Sequence, residues 1–288
     1  MDSIPQPILA AVNAKSQRLR ELLHAPEILV MPGAYDVLSA RLFEQIGFPA
    51  IQGTSGGIAG VHGLHDEELL GREWTAAIYR EIVEAVAVPV NADGEKGYGG
   101  PEDVAETVRQ FVAAGLAGMN LEDSAHHAQG APNRVLPIDQ ALEKIQAVMD
   151  TKRRLGSQFF LNARIDVFAT VENHHQGLDE VIRRGNAYAE AGADCIFILR
   201  PGPAEIIGTV VREVHAPVSV LAGEDTPSVP ELQDLGVARV SYGASFARFA
   251  ITAVQRLAER LLETGDPAPL LHESMTRQDW LRLLRPAP

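Results

Sequence analysis

VPVNADGEKGYGGPEDVAETVRQFVAAGLAGMNLE, residues 88–122, contains one full unit of the plan on which the chain is built. A short apolar run, VPVNA, ends in an acid, Asp93, with a second acid, Glu95, two residues on. Glycines around Tyr98 follow, then an amphipathic stretch, DVAETVRQFVAAG, then a second apolar run ending at Glu122. Strand, loop, helix, glycine and strand in that order read as a βαβ unit with parallel strands. Gly115 stands where the helix must stop, because glycine takes the left-handed conformation at little cost.

Outward from this unit the pattern recurs. Apolar, β-rich runs stand at 28–31, 50–53, 88–92, 117–122, 159–163, 194–198, 217–221 and 239–243, with helical spacing between them. The runs are continuous rather than alternating, as expected of strands buried on both faces. Eight such units within 288 residues predict a closed (β/α)8 barrel of the TIM type, a fold that takes about 250 residues. An open doubly wound sheet is the alternative. No linker or shift in composition divides the chain, so residues 1–288 are read as one domain. The barrel covers about 25–265, behind an extra N-terminal helix, and 266–288 form a helical tail. Both ends are candidate packing or oligomer arms.

Bulk properties narrow the function. The net charge of −13 argues against a nucleic-acid partner. No run approaches the roughly 18 apolar residues of a membrane span, and MDSIPQPILAAVNAK lacks the basic start of a signal peptide. The single cysteine, Cys195, excludes an internal disulfide and lies inside a strand run, so it is read as core. A cytoplasmic location is the expectation.

In such a barrel the chemistry gathers where strands end. Asp93, Glu95 and Glu122 end neighbouring strands, about 4.8 Å apart, so their carboxylates converge and repel unless protons or a cation intervene. Oxygen ligands alone suit Mg2+ or Mn2+. The competing reading is a set of salt-bridged or helix-capping acids. Arg164 ends another strand, and its guanidinium matches a carboxylate or phosphate. The Ser55-Gly56-Gly57 turn offers backbone amides to the same anion. The alternative for Arg164 is a bridge to one of the acids, and both roles are compatible. His126 or His127, in SAHHAQGAPN, is a candidate general acid, against the plainer reading of an idle loop histidine; His62 and His65 carry the same two readings. No Walker loop is present, and Glu102 stands where a GxGxxG pattern starting at Gly97 needs its last glycine.

Together AYDVLSARLFEQIGFPAI (34–51), GTSGG (53–57), VNADGEKGYGG (90–100), NLEDS (120–124) and LNARID (161–166) resemble the isocitrate lyase/phosphoenolpyruvate mutase superfamily, in order over roughly residues 25–245. The resemblance implies Asp93 as direct metal ligand, with Glu95, Glu122 and, in GLHD, Asp66 completing the metal's surroundings. It implies Arg164, Ser55 and Gly56 as holders of the substrate carboxylate, and Tyr35 near the substrate. It further implies a small 2-oxo or 2-hydroxy acid, cleaved beside a pyruvate unit through an enolate, and a homo-oligomer, a dimer of dimers that exchanges its C-terminal helix. Lyases of the group carry a K-[KR]-C-G-H loop, and the mutases a loop with lysine and asparagine. Here SAHHAQGAPNR replaces both, and Leu199 stands where a Glu or His follows the sixth strand, beside Arg200. The function expected is therefore Mg2+-dependent cleavage of a C–C bond, by a lyase, hydrolase or decarboxylase, in a small dicarboxylic acid. P–C chemistry on a phosphonate and a silent oxo-acid-binding protein are the alternatives. A glycosidase also uses paired acids, but 6% aromatics provide few sugar platforms.

Overall fold

The computed structural model describes residues 4–125 and 134–285. All strands run parallel in one sheet. They are β1 (Leu29–Met31), β2 (Gly33–Ala34), β3 (Ile51–Gly53), β4 (Val90–Asp93), β5 (Gly118–Glu122), β6 (Phe160–Ile165), β7 (Cys195–Ile198), β8 (Val218–Leu221) and β9 (Arg239–Ser241). Their order around the sheet is β1-β9-β8-β7-β6-β5-β4-β3-β2. The helices between them form the outer layer, which gives the (β/α)8 barrel that the sequence predicts.

Nine segments stand in place of the eight runs because a short extra strand, β2, follows the first run beyond Pro32. Leu29 pairs with Arg239 on β9, whereas Gly33 pairs with Gln52 on β3. Proline has no N–H to donate, so the ladder switches partner there, and the two segments join the last strand to the second and close the ring. Gly33 is obligatory, since a Cβ would strike the Gly243 carbonyl.

The N-terminal helix α1 (Gln6–Leu23) closes the bottom of the barrel. Its Leu19 and Leu23 join Leu29, Met31, Phe160 and Cys195 in one buried cluster. Ser16 Oγ donates to the Ala117 carbonyl at 2.6 Å. Cys195 is core, as expected, and burial pushes its thiol up to about 12.

Five further helices follow: α2 (Val37–Ile46), α3 (Ser55–Val61), α4 (Arg72–Ala85), α5 (Pro101–Ala113) and α6 (Ile138–Leu155). Then come α7 (His174–Glu190), α8 (Ala204–Glu213), α9 (Val229–Asp234) and α10 (Ser245–Thr264). The tail holds two short helices rather than the single one expected, α11 (Ala268–His272) and α12 (Arg277–Leu283). The latter lies on α2, where Arg41 Nη1 donates to the Leu284 carbonyl at 2.8 Å. The α10 helix buries none of its twenty residues, and Phe249, Ile251, Val254 and Leu262 are exposed. Among the described residues no helix is long and apolar enough to cross a membrane.

Candidate active site

Register brings the acids together. Asp93 on β4 pairs with Asn120 on β5, and Glu122 on β5 pairs with Arg164 on β6. Two adjoining cavities of 220 and 210 Å3 open here and share Ser55, Asp66, Arg164 and Leu199. The first is lined also by Gly56 and Asp93, the second by Glu95, Lys96 and Glu122.

Each acid has a holder. Ser55 Oγ donates to Asp93 Oδ2 at 2.8 Å, and the Asp93 amide donates to the Tyr79 hydroxyl at 2.9 Å. Glu95 Oε2 accepts from the amides of Glu67 (3.1 Å) and Glu68 (2.6 Å). Glu68 Oε1 in turn accepts from the Tyr98 amide at 2.6 Å. Glu67, Glu68, Glu95 and Tyr98 all have positive φ. A non-glycine residue stays in that region only where its surroundings hold it, and such residues gather at functional sites.

Arg164 is tied on two sides. Nη1 lies 2.7 Å from Glu122 Oε2, while Nε and Nη2 fork onto Asp166 at 2.6 and 2.8 Å. The bridging reading of Arg164 is thus realised. A guanidinium carries five N–H donors, so one hydrogen on each Nη remains for a ligand in the cavities that Arg164 lines. Asp166 is braced by Ser124 Oγ at 2.6 Å and by an amide contact from its own N–H to Asp123 Oδ1 at 2.9 Å.

The charges do not balance. Burial, then Asp66 and Asp93, push Glu95 up to about 9. Burial pushes Glu122 up to about 8 despite Arg164, with Asp166 and Asp93 adding to the rise. Asp66 keeps much of its surface in solvent, yet desolvation in the cleft, then Asp93, raise it. Burial alone would lower Arg164, but Asp166 and Glu122 hold it above its ordinary value. Carboxylates that hold protons at neutral pH for want of positive charge, with oxygen donors only, fit a hard divalent cation. Among the described residues no three acidic, histidine or cysteine side chains already form a cage.

Other expected residues fall outside this cluster. Tyr35 and Gly57 line neither cavity; Tyr35 is half-buried beside Gly57, and desolvation followed by Asp36 raises its phenol. Exposed His62 packs at a tilt against Trp74, with ring centroids 4.7 Å apart and 55° between the planes. His126 and His127 lie outside the described residues. Asp123, next to Glu122, turns away to Arg184 Nη1 (2.9 Å) and the Tyr188 hydroxyl (2.8 Å).

Several lining residues went unread in the sequence: Gln52 and Asn120 in the first cavity, and Glu67, Lys96 and Ser124 in the second. For Asn120 a signal existed. It stands two residues before Glu122 on the same strand, and a period of two puts both side chains inside the barrel.

A family model described as phosphoenolpyruvate phosphomutase matches residues 19–262. 2,3-Dimethylmalate lyase of Eubacterium barkeri is 31% identical over 277 residues, which cover 93% of each chain. Phosphoenolpyruvate phosphomutase from Streptomyces platensis subsp. rosaceus superposes with a TM-score of 0.83 at 29% identity, over 93% of this chain and 94% of that one. Oxaloacetate acetylhydrolase in complex with the product oxalate superposes with a TM-score of 0.81 at 28% identity, over 93% of each.

Proposed function

The chain belongs to the phosphoenolpyruvate phosphomutase family, and from that premise we propose that it cleaves a C–C bond in a small 2-oxo or 2-hydroxy dicarboxylic acid with the help of a divalent cation, Mg2+ or Mn2+. One observation carries the reading: under-compensated acids stand beside an arginine that keeps free N–H donors, around cavities sized for a small acid. 2,3-Dimethylmalate lyase and oxaloacetate acetylhydrolase, by their names, act on acids of this kind.

The work divides among the residues as follows. Asp93 is the proposed direct ligand of the cation; Asp66, Glu95 and Glu122 hold its waters. When bound, the cation stabilises, as a Lewis acid, negative charge that develops on the substrate's C2 oxygen. Arg164 grips the adjacent carboxylate through its free Nη hydrogens, and Glu122 and Asp166 keep the guanidinium in plane. Ser55 and Gly56 start α3, where the first amides of a helix have no partner within it, and they offer these to the same carboxylate. Ser55 Oγ also orients Asp93. So positioned, the substrate keeps the breaking bond aligned with the system that accepts its electrons.

Release of pyruvate, oxalate or the matching small acid tests the proposal, in a screen of 2-oxo and 2-hydroxy dicarboxylates with and without Mg2+. Turnover that persists in chelator counts against it. Phosphonopyruvate belongs in the same screen, because the family model is named for phosphoryl transfer to carbon; turnover of it alone favours the P–C reading.

A further inference from the structure

Below the acids the barrel interior is polar, and it contains a charge that the proposed chemistry does not use. Arg239, on β9, is fully buried. Its Nη2 donates to Gln52 Oε1, while Nε and Nη1 have no partner. Among the described residues no carboxylate lies within ion-pair distance of it. Burial lowers it to about 10, so it remains protonated at neutral pH.

This arginine sets the direction of a chain of amides. Arginine donates and never accepts, so Gln52 must turn its oxygen toward it. Asn91 Nδ2 donates to that oxygen at 2.9 Å and also to Asn120 Oδ1 at 2.9 Å. Asn162 Nδ2 donates to Asn120 Oδ1 at 2.8 Å. Two donors therefore fix the Asn120 oxygen on the side away from the cavity. Its NH2 group has no partner among the described residues, and Asn120 lines the 220 Å3 cavity together with Gln52 and Arg164.

We propose that Asn120 is a substrate-binding residue, whose amide NH2, oriented through Asn91 and Gln52 by the buried Arg239, donates to an oxygen of the anionic substrate at the cavity floor. The inference rests on the oxo-acid reading and deepens it. The floor offers a donor to an acceptor oxygen such as that of a carboxylate or a 2-oxo group, and the positive Arg239 beneath supplies countercharge. A ligand that presents an N–H or an apolar group there leaves Asn120 unpaired.

Oxalate binding measured by calorimetry with Mg2+ present is the test. Asn120→Leu keeps the branched shape but removes the donor, and Asn120→Asp exchanges it for an acceptor. Both are expected to weaken oxalate by about 10- to 100-fold, the worth of one hydrogen bond to a charged group. Asn162→Leu removes an amide from the same layer but not from the cavity lining, and it is expected to change affinity by less than about threefold, leaving the Asn91 bond to orient Asn120. Arg239→Met is expected to weaken oxalate without altering its stoichiometry. Wild-type binding with unchanged affinity in both Asn120 variants overturns the inference and leaves the oxo-acid site standing. No oxalate binding by the wild type overturns both. Should the variants fail to fold, a crystal structure of the wild type with Mg2+ and oxalate decides, because no ligand oxygen within hydrogen-bond distance of Asn120 Nδ2 refutes the assignment.

Discussion

Arg164→Lys separates the two jobs proposed for one guanidinium. In the structure its nitrogens make three short contacts, one to Glu122 and two to Asp166. Lysine keeps the charge but is a single point of donation on a flexible stem, so it cannot fork onto Asp166 and reach Glu122 together. The side chain is only 18% exposed, so little water replaces what is lost. A hydrogen bond to a charged group contributes about 1.5–3 kcal/mol. Loss of one such bond to the substrate carboxylate lowers oxalate affinity by roughly 10- to 100-fold. Loss of the fork also leaves the buried Asp166 carboxylate with Ser124 Oγ as its remaining side-chain donor, so the melting temperature falls by several degrees. Calorimetry with oxalate and Mg2+, alongside a thermal melt, reads both quantities. A lower melting temperature with unchanged oxalate affinity would refute the ligand role and leave Arg164 as a brace for the acids.

Further outcomes follow from the same geometry. Because Glu95 and Glu122 are raised to about 9 and about 8, the cation-free native protein holds protons that the unfolded chain has released above its ordinary carboxylate range. Its stability therefore falls as pH rises from about 5 toward 8–9, and Mg2+, which takes these groups ionised, should raise the melting temperature more at about pH 8.5 than at about pH 6; equal shifts would show that the cation does not bind these carboxylates. The uncovered apolar surface of α10 and of the tail, with Trp280, Leu281 and Leu284, predicts a homo-oligomer, a tetramer by family resemblance; light scattering that gives a stable 31.1 kDa monomer counts against it. Isocitrate and 2-methylisocitrate should not be cleaved, since no cysteine stands in the loop after β5, and activity on other acids should survive Cys195→Ser, because that thiol is buried at the barrel bottom. Glyoxylate or pyruvate release from those two substrates would show that another group has taken the thiol's place.

The succession of short continuous apolar runs and stretches of helical period was enough to read the barrel, because both are local properties of the chain. The same local logic located Asp93, Glu95, Glu122 and Arg164, since a strand that ends in a charge must bring it to the rim. It also placed Cys195 inside a strand and therefore out of reach of chemistry. What it could not supply is which neighbour each end meets. The run read at 28–31 stops at Pro32, and only closure of the ring shows that Leu29 pairs with β9 while Gly33, just beyond, forms a strand of its own on β3. Asp123 and Glu122 are adjacent in sequence, yet the first serves Arg184 and the second the cavity, because successive strand residues face opposite sides of the sheet and meet different layers. Tyr35 looked like a site residue from its motif, but the packing of the Ser55–Gly57 turn leaves it outside both cavities. Arg239 sits in an unremarkable run, RVSYG, and its meaning appears only when Gln52, Asn91 and Asn120, from three other strands, close around the same interior. The direction of that amide chain is a property of the assembled barrel, since it depends on contacts between residues that no local pattern joins.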